Sequence, residues 1–434
     1  MTSLPGFTVD IDQNPYLPAG GRDVSAIVTV TAGQTGDEPR PAGDSAEIII
    51  IDRSNSMGMP ISKVVQACAA TAAAVDVIRD GAWFAIIGGA GSAQRVYPAG
   101  GTMAVADERT REEAKQAVRM LGLRGGTAMS AWLRLAYQMF QSCPATLRHA
   151  ILLTDGPNIE RRNRRLDAAI EQCEGAFRCD CRGVGTDWQV SELRKISTAL
   201  LGTVDIVPDP EGLAADFQEM MRGAMSKQLP DVLLRVRTPQ QATVRFVKQV
   251  APAIDDLTTR RVQSGPQAGD YPTGAWAPGE TRDYHVGIQL DTPDIGQEML
   301  AARVSLLASS PDGQQVLGQG LIMAERTHDE ELSTRINQRV AHHTGQEELA
   351  DAIRDGLEAS KRGDEETATA RLGRAVALAH WAGNGDTARL LAKVVDVVDE
   401  ATGTVRLKKK VAAADEMALD IRSTKTVRVK EGLP

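Results

Sequence analysis

Three short segments of this 434-residue chain concentrate oxygen-bearing side chains where apolar runs end. The first, Asp52-Arg53-Ser54-Asn55-Ser56-Met57, follows EIIIID (47–52) directly. The second is Arg124-Gly125-Gly126-Thr127, and the third, Thr154-Asp155-Gly156, closes the run HAILLTD (149–155). Hydroxyls and carboxylates are hard donors, and such a set suits Mg²⁺ or Mn²⁺ in preference to zinc. Each segment also has a local explanation. Asp52, Ser54 and Ser56 could form a turn and a helix cap, Thr127 could cap the helix that follows it, and Asp155 could serve a TDG turn. What separates the two readings is whether the elements bring the three segments together.

Those elements read as a doubly wound α/β domain over 43–228. From Glu47 to Lys227 short apolar runs alternate with segments of helical spacing, the pattern of a parallel sheet with helices on both faces. Strands are predicted at 47–52, 82–87, 95–98, 149–155, 176–185 and 203–207. Helices are predicted near 61–78, 107–121, 128–142, 162–174, 189–200 and 210–227. In open sheets of this kind ligands collect at the carboxyl ends of the strands, so all three oxygen-rich loops fall at one edge.

The arrangement resembles the von Willebrand factor type A domain of bacterial cytoplasmic proteins, with its metal-ion-dependent adhesion site. The DxSxS element corresponds to Asp52, Ser54 and Ser56, the loop threonine to Thr127, and the last aspartate to Asp155; DRSNSM, GGT and TDG all fit. The resemblance covers residues 45–227. It implies that these five residues are metal ligands. Magnesium takes six oxygens at about 2.0 to 2.1 Å and keeps several waters, so three hydroxyls and two carboxylates, some acting through water, furnish five positions. The sixth is left for a glutamate or aspartate of a protein partner. DxSxS alone is a weak signal; a buried strand before it, a helix after it, and GGT in the loop before the helix at 128 and TDG at the end of the 149–155 strand strengthen it.

Composition narrows the classes. With 49 Lys and Arg against 57 Asp and Glu, the formal charge is −8, and aromatics are 4%; neither favours a nucleic-acid-binding face. No apolar stretch reaches the length of a bilayer-spanning helix, and MTSLPGFTVDIDQNPYLP lacks a secretion signal's basic start and apolar core, so a cytoplasmic protein is expected. Five scattered cysteines make no disulfide framework. Cys179 and Cys181, two apart on one predicted strand with Cys173 nearby, lack CxxC spacing and are read as buried, inert strand cysteines. His342 and His343 fall on different helix faces, and Trp132, Tyr137 and Phe140 read as core. The basic runs Arg161 to Arg165 and Lys408 to Lys410 read as solvated surface.

The flanks differ in texture. Segments beginning at Asp231, Ala242, Thr281, Met299 and Gln314 predict an antiparallel sandwich over 229–327, with hairpin chemistry at Ser310-Pro311-Asp312-Gly313. Val24, Ala26, Val28 and Val30 share one face of a strand, and residues 1–42 are expected to complete the sandwich, making the α/β domain an insertion into it or a neighbour beside it. A helical bundle is predicted over 328–402, with stop signals at Gly363 and Gly385. Residues 403–434 read as a basic tail, flexible or docked as a strand, in which Ser423, Thr424 and Thr426 are a weak phosphorylation motif.

The expected function is a non-enzymatic, divalent-metal-dependent module that binds an acidic side chain of a partner. The alternative at the same site, a metal-assisted hydrolase or phosphotransferase, needs a positioned general base. The motif loops offer none, His149 should lie at the opposite edge, and neither GxxxxGK[ST] nor GxSxG occurs. Family analogy adds a further alternative, an accessory or assembly protein for a transporter, ATPase or kinase signalling system.

Overall fold

Ser45–Asp52 has no exposed side chain along its length, as a strand covered on both faces by helices should. The computed structural model describes residues 6–34, 44–101, 103–160, 164–291, 295–310 and 313–427. Residues 161–163 of the RRNRR run, 311–312 of the SPDG turn and 428–434 of the basic tail lie outside these. The chain divides into two units, Met1–Gly36 with Asp231–Pro434, and Asp37–Pro230.

The first unit opens with β1 (Phe7–Gln13), β2 (Tyr16–Leu17) and β3 (Asp23–Ala32). The chain then enters the second unit as β4 (Ser45–Asp52), α1 (Ser62–Asp76), β5 (Trp83–Gly89), β6 (Ala93–Tyr97), β7 (Ala104–Val105), α2 (Glu108–Arg119), α3 (Met129–Gln141), β8 (Leu147–Thr154), α4 (Arg164–Cys173), β9 (Arg178–Val184), α5 (Val190–Ala199), β10 (Val204–Val207) and α6 (Leu213–Ser226). Its sheet runs β10-β9-β8-β4-β5-β6, with β7 also paired to β5. Strands β4, β5, β8, β9 and β10 are parallel. The 95–98 run departs from the expected all-parallel sheet: β6 turns back antiparallel to β5, because the Ala90–Ser92 turn is too short for a crossover. Ile49 and Ile51 pack with Val64, Ala67, Phe217 and Met221 from α1 and α6. Strand order reverses between β4 and β8, and their carboxyl ends flank the crevice where ligands bind in such sheets.

Back in the first unit, β11 (Leu229–Arg237), β12 (Ala242–Ala251), β13 (Asp255–Asp256), β14 (Val262–Gly265), β15 (Ala268–Trp276), β16 (Thr281–Leu290), β17 (Glu298–Ser310) and β18 (Gly313–Arg326) build two sheets with the N-terminal strands. One runs β1-β3-β16-β12-β13 and the other β14-β15-β11-β17-β18-β2. Phe7 of β1 meets Trp276 of β15 edge-on, with ring centroids 5.2 Å apart. Strand β15 was not foreseen: its Gly269, Pro272 and Gly274 interrupt any alternation, and Gly274 has φ +73°.

The helical region contains α7 (Glu330–Ser333), α8 (Gln338–Lys361), α9 (Glu365–Trp381) and α10 (Gly385–Val394), then β19 (Val395–Asp399), β20 (Thr404–Leu407) and α11 (Ala413–Arg422). Here the expectation of a tail from residue 403 is corrected. β20 pairs with β19, and Leu419 of α11 is buried in one core with Leu349, Ile353 and Leu391. Ser423 is buried and donates to the Asp420 carbonyl of its own helix at 2.8 Å, and Thr426 donates to the Val250 carbonyl of β12 at 2.6 Å. Among the described residues no helix is long and apolar enough to cross a membrane.

At the amino end of the parallel strands sits a buried ion-pair row. His149 Nδ1 lies 2.7 Å from Glu47 Oε2 and its Nε2 lies 2.8 Å from Asp180 Oδ2. Burial alone would lower the imidazole, but the flanking Glu47 and Asp180 outweigh it and raise its pKa from 6.5 to about 9. Burial likewise opposes ionisation of Asp180, yet His149, Arg178 and Arg182 hold it well below the usual carboxylate range, while burial lifts Glu47. A raised folded-state pKa stabilises below the unfolded value, and that contribution is lost as pH rises through the folded value. His149→Asn is therefore expected to cost about 3 to 5 kcal/mol near pH 6. Denaturant melts should show the gap to wild type narrowing between pH 6.5 and about 9, and a gap that widens with pH would contradict the assignment.

Candidate metal centre

Asp52 ends β4 and Asp155 follows β8, and both are fully buried. The Ser54 amide donates to Asp52 Oδ1 at 2.7 Å, the turn that carries the chain over the strand end. Backbone bonds tie the loops to one another: Arg53 N to Gly89 O at 2.7 Å, Arg124 N to Arg53 O at 2.8 Å, Asn55 N to Gly125 O at 3.1 Å, Ala128 N to Ala90 O at 2.9 Å and Ile159 N to Thr127 O at 2.9 Å. Trp132, fully buried, donates from its indole to Ala90 O at 2.7 Å and lies so close over Gly89 that no side chain fits there.

All five residues singled out in the sequence come together. The Ser54 and Ser56 hydroxyls are 2.8 Å apart, and Ser56 donates to Asp155 Oδ1 at 2.7 Å. Thr127 Oγ1 lies 3.5 Å from Asp52 Oδ2. Ser54 is thus separated from Asp155 by a single hydroxyl. The local explanation of these residues as helix caps does not hold. Thr127 precedes α3, whose N-cap is Ala128 with no side-chain bond; Asn158 and Glu160 accept from Met129 N at 3.3 Å and Ser130 N at 3.2 Å instead. α1 has Ile61 as its N-cap, and neither it nor the 3₁₀ turn at Asn55–Gly58 has a side-chain cap. The three hydroxyls are therefore directed at the two carboxylates and serve no helix end.

Burial pushes the Asp52 carboxyl up to about 6, against hydrogen bonds from Thr154 and Ser54. A buried carboxylate is costly without a counter-charge, and a cation beside it offsets that cost. A Cβ placed on Gly156 would stand 3.4 Å from Ser56 Oγ and 3.6 Å from Thr127 Oγ1, so the hydroxyls face a common point in a cradle that a side chain would fill. This cradle and an all-oxygen donor set fit a hard divalent cation held by Asp52, Ser54, Ser56, Thr127 and Asp155. Among the described residues there is no group of three or more His, Cys, Asp or Glu suited to a softer ion. Cys173, Cys179 and Cys181 are buried free thiols, and burial pushes Cys173 up to about 12.

Sequence reasoning gives no role to three contributors, two of them in the Thr154-Asp155-Gly156 segment that it singles out. Thr154 donates to Asp52 Oδ2 at 2.5 Å and holds that carboxylate in place. Gly156 leaves the cradle open. Lys63 places its ammonium 2.9 Å from Asp155 Oδ2; its signal was a lysine in the first turn of a helix, where the backbone dipole is unfavourable to a cation.

Comparison with known proteins follows the same lines. A model of the von Willebrand factor type A domain matches residues 46–206, and one of the von Willebrand factor type A C-terminal domain matches 377–423. The chain is similar to a solved von Willebrand factor type A protein from Catenulispora acidiphila, at 49% identity and TM-score 0.93, covering 99% of this chain and 98% of that one. It shares the fold of the ArnB paralog VWA2 from Sulfolobus acidocaldarius, at 13% identity and TM-score 0.59, over 97% of this chain and 99% of that one. No curated protein matches.

Because a methyl at Gly156 meets only ordinary van der Waals distances, Gly156→Ala is expected to melt within a few degrees of wild type while losing Mn²⁺ binding in calorimetry. Undiminished Mn²⁺ affinity in a folded variant would move the cation away from this cradle.

Proposed function

This chain belongs to the von Willebrand factor type A family, and from that premise we propose that it is a non-enzymatic, divalent-metal-dependent binding module that captures an acidic side chain of a protein partner. The observation that carries the proposal is the convergence of three hydroxyls, none of them a helix cap, on two buried carboxylates at one crevice. A bound Mg²⁺ or Mn²⁺ supplies a Lewis-acidic positive charge to which a partner's carboxylate can bind.

The chain's own groups prepare that site. Ser56 donates its proton to Asp155 and therefore accepts from Ser54, which leaves it one lone pair for a cation. Thr154 holds Asp52 against rotation through its bond to Oδ2. Neutral hydroxyls bring donor atoms without cancelling charge, so the carboxylates alone offset the ion.

The rim favours a protein ligand. Met59 is 79% exposed, Ile61 64% and Ile159 57%, and the Ile159 side chain lies against Gly126, next to Thr127. Met59 follows the site's serine loop, its amide donating to Ser56 O at 2.9 Å, and exposed apolar side chains beside a polar site favour a binding surface. Hydrolysis is the less favoured reading, because the nearby carboxylates are engaged: Glu160 accepts from the Ser130 hydroxyl at 2.7 Å, and Glu192 accepts from Asn158 N at 3.0 Å. His149 is held at the other end of β8 by Glu47 and Asp180. A cytoplasmic location belongs to the same proposal, and an accessory role beside a transporter, ATPase or kinase system is the alternative that family analogy offers.

Ser54→Ala with Ser56→Ala is expected to abolish Mg²⁺ binding by calorimetry while leaving the fold intact by circular dichroism. Partner capture by the wild type should vanish with EDTA and return with Mg²⁺ or Mn²⁺. Capture indifferent to chelator, or metal-dependent turnover of phosphoester or peptide substrates that Asp52→Ala removes, would overturn the proposal.

A further inference from the structure

Lys63 is the second residue of α1, and its side chain is 10% exposed. Its Nζ lies 2.9 Å from Asp155 Oδ2, the oxygen that Ser56 does not use, and 3.6 Å from Asp187 Oδ2. The Asp187 side chain is 73% exposed, so solvent screens its hold on the ammonium, whereas Asp155 has no such screening. The near-complete burial of this side chain is not asked for by packing: the other inward residues of the same helix, Val64, Ala67, Ala70, Thr71, Ala74 and Val75, are small and uncharged. Its position at the positive end of the helix dipole is unfavourable as well. A buried lysine in such a place is kept by its charge partner, and that partner is one of the five donors.

The charge count then has a consequence. Asp52 and Asp155 together match a divalent ion and would leave a neutral site with no electrostatic demand for a further anion. With Lys63 on Asp155, the loaded site carries one net positive charge, and one carboxylate neutralises it. We propose that Lys63 is a built-in counter-cation of the metal centre, which weakens intrinsic metal binding and makes a singly charged acidic side chain the ligand that completes the site. This rests on the metal-site reading given above, and it adds coupling: metal and acidic ligand each raise the other's affinity, as linkage requires. It also adds selectivity, since a neutral amide of the same shape leaves the positive charge unmatched.

The test is the Mn²⁺ affinity of the full chain, by calorimetry, in wild type, Lys63→Met and Asp187→Asn, each with and without acetate as the carboxylate probe. Lys63→Met is expected to bind Mn²⁺ about tenfold or more tightly without acetate, the scale on which one close charge shifts a neighbouring carboxylate's equilibrium. Asp187→Asn is expected to bind about twofold more weakly, since it leaves the ammonium wholly to Asp155. Acetate should tighten Mn²⁺ binding in wild type and do so less in Lys63→Met. Equal or weaker Mn²⁺ binding by Lys63→Met, or an equal acetate effect in both proteins, overturns the proposal and leaves the metal site standing. Absence of Mn²⁺ binding in wild type and Lys63→Met alike overturns the metal site itself. Should Lys63→Met fail to fold by circular dichroism, unchanged or tighter binding by Asp187→Asn overturns the counter-cation role.

Discussion

Two carboxylates with no exposure to water, Asp52 and Asp155, stand at the ends of adjacent parallel strands, and the surroundings of both are organised by the cost of keeping them ionised there. Thr154 and the Ser54 amide take two oxygen lone pairs of Asp52, Ser56 takes one of Asp155, and Lys63 supplies the nearest full positive charge. The isoleucine-filled strand beneath them fixes where they lie. Because Ile48 to Ile51 are sealed between helices on both faces, β4 cannot slip by one residue without turning Asp52 out of the crevice. Sheet packing and site chemistry are thus one constraint seen at two scales.

The other unit shows the same use of buried polar groups to position elements, here for architecture. His285 on β16 bonds Ser25 on β3 at 2.6 Å and Glu347 on α8 at 2.6 Å, and Lys248 on β12 meets the second oxygen of Glu347 at 2.5 Å. Arg339, also on α8, reaches Asp12 at 3.0 Å and Thr29 at 3.1 Å. A helix laid on a sheet by apolar contact alone can slide; one pinned by directional bonds to four strands has a single register. Arg282 stacks on Trp276 with its guanidinium carbon 4.1 Å from the ring centroid.

What was legible in the sequence follows from how local each signal was. The α/β unit could be read because its strands are unbroken apolar runs and its helices keep one period, and because four of the five donors sit at the ends of two of those runs while Thr127 sits in the loop before a helix. The pairing of Val24 to Val30 with a partner far along the chain was readable as an unpaired apolar face. β15 was not, since glycines and a proline removed its alternation while cross-strand bonds such as Arg235 to Asp270, at 2.6 Å, hold it in place. α11 was hidden because its burial comes from Leu419 and its neighbours meeting α8 and α10, a tertiary fact that ten amphipathic residues do not announce. Lys63 and Thr154 were missed for the same reason: their role lies in what they touch, and the touched groups are 92 and 102 positions away.

The central claim is that donors from three loops share one divalent cation. Crystals grown with Mn²⁺ and measured at the manganese absorption edge test it directly. The account predicts one anomalous peak within coordination distance of the Ser54, Ser56 and Thr127 hydroxyls, directly or through water, beside Asp52 and Asp155. A peak located elsewhere, or none with the loops ordered and manganese in excess, would contradict it.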